Sequence, residues 1–127
     1  GRLRPNGLIV TQAGSAYYAT RALYCVEKTM KSGGFKTLAM QNQVLTIGQW
    51  GFVIGSKQYG KTQLKAAIIE KYISSTQKPN TKWLNEEALN HIFSFGKPLA
   101  DTFMLQINTL NNPVLYQYYN TGNWDLY

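Results

Sequence analysis

One cysteine, one histidine and six acidic residues are all that 127 residues offer for thiol, metal or carboxylate chemistry. The lone Cys25 excludes an internal disulfide and a multi-cysteine metal cage. It falls on the apolar side of a helical pattern and reads as a small buried core residue. His91, with Glu86 and Glu87 upstream, has no second ligand at the third or fourth position after it, so it reads as a helix-surface residue and no metal site is expected. Charged residues make up only 15% of the chain and hydrophobic ones 44%, which excludes an intrinsically disordered segment. No apolar run approaches the roughly 20 residues that cross a bilayer, so a soluble segment without membrane contact is expected.

Charge of one sign is also scarce. Thirteen Lys and Arg against six Asp and Glu leave a formal net charge of +7. The cations are scattered from Arg2 and Arg4 to Lys97 without a dense run. That pattern describes a solvated basic surface, and no nucleic-acid partner is expected from it. The acids are Glu27, Glu70, Glu86, Glu87, Asp101 and Asp125. None is predicted at the carboxyl edge of a strand, where ligands of open α/β sheets bind. No glycine-rich strand-to-helix turn of the GxGxxG type occurs. The chain therefore carries no expected catalytic residue and no cofactor site of its own.

What is present is an ordered α/β pattern. Arg4-Pro5-Asn6-Gly7 is turn chemistry, and residues 8–12 form a β-branched apolar run of the kind found in sheets covered on both faces. Ser15 is the expected N-cap of a helix over residues 15–32, with Ala19, Ala22, Leu23, Val26 and Met30 facing the sheet and Gly33-Gly34 as its stop. Residues 35–44 and 50–56 read as strands joined by the turn 45–49, too short for anything but an antiparallel hairpin. The expected order is strand, helix, strand, strand, with only the last pair antiparallel. Downstream, a helix over 62–74 should turn Leu64, Ala67, Ile68 and Ile73 inward, and 75–81 is a polar linker. A short helix should run from the N-cap Asn85 to Phe95, residues 99–109 are a strand or extended segment, and 113–120 a last helix with Pro113 at its first turn.

The succession LRPNGLIVTQAGSAYYATRALYCVEKTMKSGGFKTLAMQNQVLTIGQWGFVIGSK resembles the C-terminal half of the polyamine aminopropyltransferases, the spermidine synthase family. LNEEALNHIFSFGKPLAD and INTLNNPVLYQYYNTGNW resemble, more narrowly, the close of predicted spermidine synthases with an N-terminal membrane domain. The resemblance implies the C-terminal half of a Rossmann-like sheet of the class I methyltransferase type, residues 1–57, with a terminal antiparallel hairpin. A mostly helical extension, 58–127, would pack on it as one structural unit. It implies a parent enzyme that moves an aminopropyl group from decarboxylated S-adenosylmethionine to a polyamine. In the family the cofactor loop, the ribose-binding acid and the catalytic aspartate all precede the strand at residues 8–12, so the isolated chain is expected to be inactive.

The same resemblance implies site residues and partners. Gln12 matches the family glutamine that contacts the polyamine, and Tyr17 and Tyr18 follow it at the helix start. The turn holding Ile47 and Gln49 matches the segment that lends a proline and an aromatic residue to the amine pocket, but here Leu45 stands in place of the proline and Ile47 in place of the aromatic residue. Trp50 and the cluster Tyr116, Tyr118 and Tyr119 read as packing residues. The implied partners are the N-terminal half of the catalytic domain and, across an exposed sheet edge, a second copy of the chain. The implied location is a cytoplasmic domain of a membrane-anchored parent. Two other classes fit the residues: a non-catalytic Rossmann-like binding or regulatory module, and a small basic nucleic-acid-binding domain.

Overall fold

A computed structural model describes residues 3–77, 80–97 and 104–126. Its centre is a three-stranded sheet of β1 (Leu8–Gly14), β2 (Lys36–Val44) and β3 (Gly48–Ser56) in the order β1-β3-β2. Helix α1 (Thr20–Ser32) connects β1 to β2, and α2 (Lys61–Ser74), α3 (Glu86–Ile92) and α4 (Val114–Asn120) follow. A 3₁₀ turn at Trp124–Leu126 ends the described chain.

β3 is antiparallel to both neighbours, pairing Leu8 with Ser56 on one side and Lys36 with Ser56 on the other. The expectation of a single antiparallel pair is corrected accordingly. β1 and β2 run in the same direction, as a helical crossover requires, but the returning hairpin strand inserts between them instead of adding at the edge. This α/β arrangement with an open sheet is compatible with a partial Rossmann-like fold.

The sheet is covered on both faces only towards β2. On one face α1 buries Ala22, Leu23 and Val26 against Ala13 and Val53. On the other, Leu64 of α2 meets Leu38 and Ile54, with Met40, Ile68 and Phe93 around them. β1 departs from its expected burial: Leu8, Ile9 and Val10 are 48%, 41% and 54% exposed, because α2 sits over β2 and β3. For the same reason, of the four α2 residues expected inward, Leu64 and Ile68 are covered while Ala67 and Ile73 are exposed.

Two helices differ from expectation at their ends. The chain after β1 spends residues 15–19 in a tight turn, so α1 starts at Thr20 behind Ala19, and Ser15 is not its N-cap. α3 does begin behind Asn85, whose Oδ1 accepts from Ala88 N–H at 2.7 Å, but it stops at Ile92. No strand forms over 104–109; the expected residues 99–103, like Asp101 among them, lie outside the described part. Residues 105–109 instead run extended along α1. Asn108 N–H donates to Thr29 Oγ1 at 2.9 Å, and Lys28 Nζ donates to the Leu105 carbonyl.

Candidate functional site at the rim of the sheet

The carboxyl end of β1 is built by a bulge. Gln12 lies opposite Phe52 and Gly14 opposite Gly51, which leaves Ala13 unpaired and buried. Such an extra residue bends the strand and re-aims its last side chains. Gly14 then takes φ +80°, a conformation that side chains with a Cβ rarely adopt, and a ring carbon of Tyr119 lies 3.6 Å from where that Cβ would be. Ser15, fully buried, ties down the turn that follows: its Oγ accepts from Tyr17 N–H at 3.2 Å and Tyr18 N–H at 3.0 Å. Gln12 itself is exposed on the rim.

Beside Gln12 opens a groove of about 490 Å³, floored by Ala22 and Val26 of α1 and walled by Trp50, Pro113 and Tyr119. Trp50 Nε1 is buried without a hydrogen-bond acceptor among the described residues. Trp124 packs against Trp50 and Tyr119 of this wall and against Tyr18. Its ring centroid lies 4.8 Å from that of Tyr119, 6.1 Å from Tyr18 and 6.3 Å from Trp50. Rings at such offsets attract through their quadrupoles as well as through buried area. In the sequence Trp50 and Tyr119 read as packing residues and Trp124 only as the end of the tail motif, since nothing in its local spacing ties it to a strand at 50.

The remaining sequence-predicted residues share the rim but not the groove. Tyr17 is 65% exposed, and Tyr17 and Tyr18 border a separate hollow of about 270 Å³ with Arg21, Tyr118 and Asn123. Arg21 lies over the Tyr118 ring at 5.2 Å. In the hairpin turn Ile47 N–H bonds Val44 O at 3.1 Å, and Gly48 at φ 72° makes the return. Leu45 is fully exposed there and Ile47 partly so, while Gln49 is half-buried. Gln12 sits opposite Phe52, so the turn beginning at Gly48 lies about 13 Å further along at 3.3 Å per residue. The structure therefore brings Gln12 together with Trp50 and Tyr119, and holds Tyr17 and Tyr18, and Ile47 and Gln49, at two flanking places on the same rim.

Ionisable groups are sparse at this rim. Glu27 is engaged away from it, accepting from Thr37 Oγ1 at 2.8 Å and pairing with Lys31 at 3.0 Å. Glu86 and Glu87 occupy the first turn of α3, where the helix dipole favours them, and Glu70 is exposed on α2. Asp125 adjoins Trp124 in the tail and is exposed. His91 is exposed on α3. Among the described residues no cluster of three His, Cys, Asp or Glu could hold a metal ion. Cys25 is fully buried under the tail, and that burial pushes its thiol pKa up, outweighing the bonds from Thr29 and Asn108 and the nearby Lys28 charge. A neutral, covered thiol is a poor nucleophile. No helix of the described residues is long and apolar enough to cross a membrane.

Comparison with known proteins places this arrangement. The chain is 33% identical over 118 residues to polyamine aminopropyltransferase 2 of Aquifex aeolicus, a match covering 93% of the chain and 22% of that protein. It is 29% identical over 114 residues to polyamine aminopropyltransferase 2 of Ralstonia nicotianae, covering 90% of the chain and 20% of the relative. The polyamine aminopropyltransferase of Oceanobacillus iheyensis matches 98% of the chain at 28% identity and is covered over 23% of its length. The chain thus spans about a fifth of the length of the relatives it matches. No family model matches.

Proposed function

Since the chain belongs to the polyamine aminopropyltransferase family, we propose that it is the part of such an enzyme that forms the acceptor-side rim, with the cofactor-binding part supplied by the rest of the protein. The match over nine-tenths or more of the chain, set against about a fifth of each relative, is the observation that carries this reading. The parallel β1 and β2 with an antiparallel strand between them support it, as does the scarcity of carboxylates at the rim.

The reaction so proposed is a displacement at carbon. The lone pair of a neutral primary amine forms the new C–N bond as the C–S bond of decarboxylated S-adenosylmethionine breaks. The sulfonium takes that electron pair and leaves as neutral methylthioadenosine. The new ammonium then loses a proton to a carboxylate outside this chain. Alignment of nitrogen, carbon and sulfur and removal of that proton are the two demands on the protein. From this chain, the Gln12 amide oxygen accepts a hydrogen bond from the amine at the carboxyl edge of β1. Tyr17, Tyr18, Ile47 and Gln49 border the path of the chain beyond it. Ile47 offers an aliphatic wall, which lacks the cation–π attraction of up to about 2 kcal/mol that an aromatic face gives a desolvated ammonium.

In this reading the outer edge of β1, with Leu8, Ile9 and Val10 exposed beside it, is covered by the preceding part of the protein. When the 127 residues are alone, a second copy takes that place, which sedimentation at rising concentration tests. The tail motifs favour a parent anchored by an N-terminal membrane domain, with this part on the cytoplasmic side.

The deciding experiment replaces the matched 118-residue segment of the Aquifex relative with this chain and measures aminopropyl transfer. Transfer by the chimera, its weakening for the amine alone on Gln12→Ala, and no transfer by the isolated chain are expected. Tight methylthioadenosine binding to the isolated chain, or an inactive but folded chimera, would overturn the proposal.

A further inference from the structure

The ladder between β1 and β3 ends at the pair Gly14 and Gly51. Beyond it the turn at residues 15–19 and the hairpin end at residues 45–50 belong to different segments of the rim. One side chain touches both. The Trp124 ring stacks on Tyr18, with planes 25° apart, and meets Trp50 at a 40° tilt. Its own place is fixed by two bonds: Asn123 N–H donates to the Tyr18 carbonyl at 2.8 Å, and Trp124 Nε1–H donates to the Tyr119 carbonyl at 2.6 Å. Gly122 permits the approach, since a Cβ there would stand 2.6 Å from the Tyr18 oxygen and 2.8 Å from Trp124 Nε1.

We propose that Trp124 is a positioning residue that holds the Tyr17–Tyr18 turn and the Trp50 end of the hairpin at a fixed separation, and so sets the spacing of the two flanks of the acceptor pocket's rim. The assignment of that pocket rests on the transferase reading above; the coupling itself rests on the contacts. The side chain does not line the groove beside Gln12. It acts through Tyr18 on one flank and through Trp50 on the other, and an aromatic ring at that position meets both.

The test has two arms. In the 127-residue chain, Trp124→Ala should speed hydrogen exchange about tenfold, as loss of two aromatic contacts would, at Tyr18 and Ala19 and also at residues 48–51. The amides of α2 and α3 should keep their native rates, and Trp124→Phe should restore most of the protection. Acceleration at one flank only overturns the coupling. If Trp124→Ala loses protection everywhere, Trp124→Leu, which keeps apolar volume, takes its place, and uniform loss there too overturns it. In the Aquifex chimera, Trp124→Ala should raise KM for the amine about tenfold with kcat within about twofold, the split expected of lost ground-state binding, and Trp124→Phe should recover it. A fall in kcat at unchanged KM would overturn the pocket role. Inactivity of the unsubstituted chimera would instead sink the transferase reading, and the exchange rates would then decide the positioning role alone.

Discussion

The sheet with α1 and the tail beyond residue 104 are held by different physics. In the first, side chains and backbone interlock closely: a Cβ on Gly51 would fall 2.2 Å from Leu23 Cδ1 and 2.9 Å from the Gly14 carbonyl oxygen, and one on Gly55 2.5 Å from Met30 Cε. In the second, few apolar side chains are buried, Leu105 and Val114 among them, and polar bonds to the outer side of α1 do the fastening. Thr29 is the hinge of that fastening, donating to Cys25 C=O at 2.8 Å while accepting from Asn108 N–H at 2.9 Å. Asn108 in turn caps α4 from a distance, its Oδ1 accepting from Leu115 N–H at 3.0 Å, a service that Pro113 at the N-cap cannot render. Close packing makes a region intolerant of added volume; polar tethers make a region intolerant of lost acceptors.

Gly51→Ala breaks the comparison hardest. With Leu23 and the Gly14 carbonyl both in the way, overpacking should destabilise the fold by about 1–3 kcal/mol or more, read in a urea titration. Thr29→Val keeps the shape but strands the Asn108 N–H, an expected loss of about 1–3 kcal/mol that should loosen the tail before the sheet. Hydrogen exchange separates the two: equal acceleration in β3 and α4 would show that tail and sheet are one cooperative unit. Asn85→Ala removes the cap of α3, costing about 1 kcal/mol, with exchange affected around residues 86–92 and not in β1.

The smallest expected effect follows pH through Cys25. Its native pKa lies above the ordinary thiol value of about 8.5, with burial as the leading cause. The sign follows by linkage: the unfolded thiol ionises first, so stability is intact below the unfolded pKa and declines as pH rises toward the native one. Cys25→Ser should flatten that decline, and alkylation of the native thiol should run slower than that of the urea-unfolded chain. Rapid alkylation of the folded protein would mean that the tail does not cover α1 as described.

Local spacing was enough to read much of this fold. The run at 8–12, the short turn of the hairpin, the Asn85 cap and the stop at Gly33-Gly34 all express preferences of a few neighbouring residues. The start of α1 was misread because Ser15 can cap either a helix or a tight turn, and the burial of that turn under the tail decides for the turn. Ala67 and Ile73 were misread because helical periodicity marks an apolar stripe without saying how much sheet lies beneath it.

The candidate site divides in the same way. Gln12 was legible as a strand-end amide, and its motif carried the family. That Tyr17, Ile47 and Gln49 flank its groove instead of lining it depends on the β1 bulge and on how far the hairpin runs past Gly14. Trp124 ends the tail motif, but its meeting with the rim is not legible there, because Trp50 and Tyr18 lie about 75 to 105 residues away. By itself the sequence determined the three strands of the sheet, the hairpin, the stop of α1 and the identity of the strand-end amide, since each is settled by short-range sterics and hydrogen bonds. The insertion of β3 between β1 and β2, the coverage of each sheet face and the meeting of the C-terminal tail with the rim were decided only by tertiary structure, because they are choices among distant apolar surfaces that no local pattern can rank.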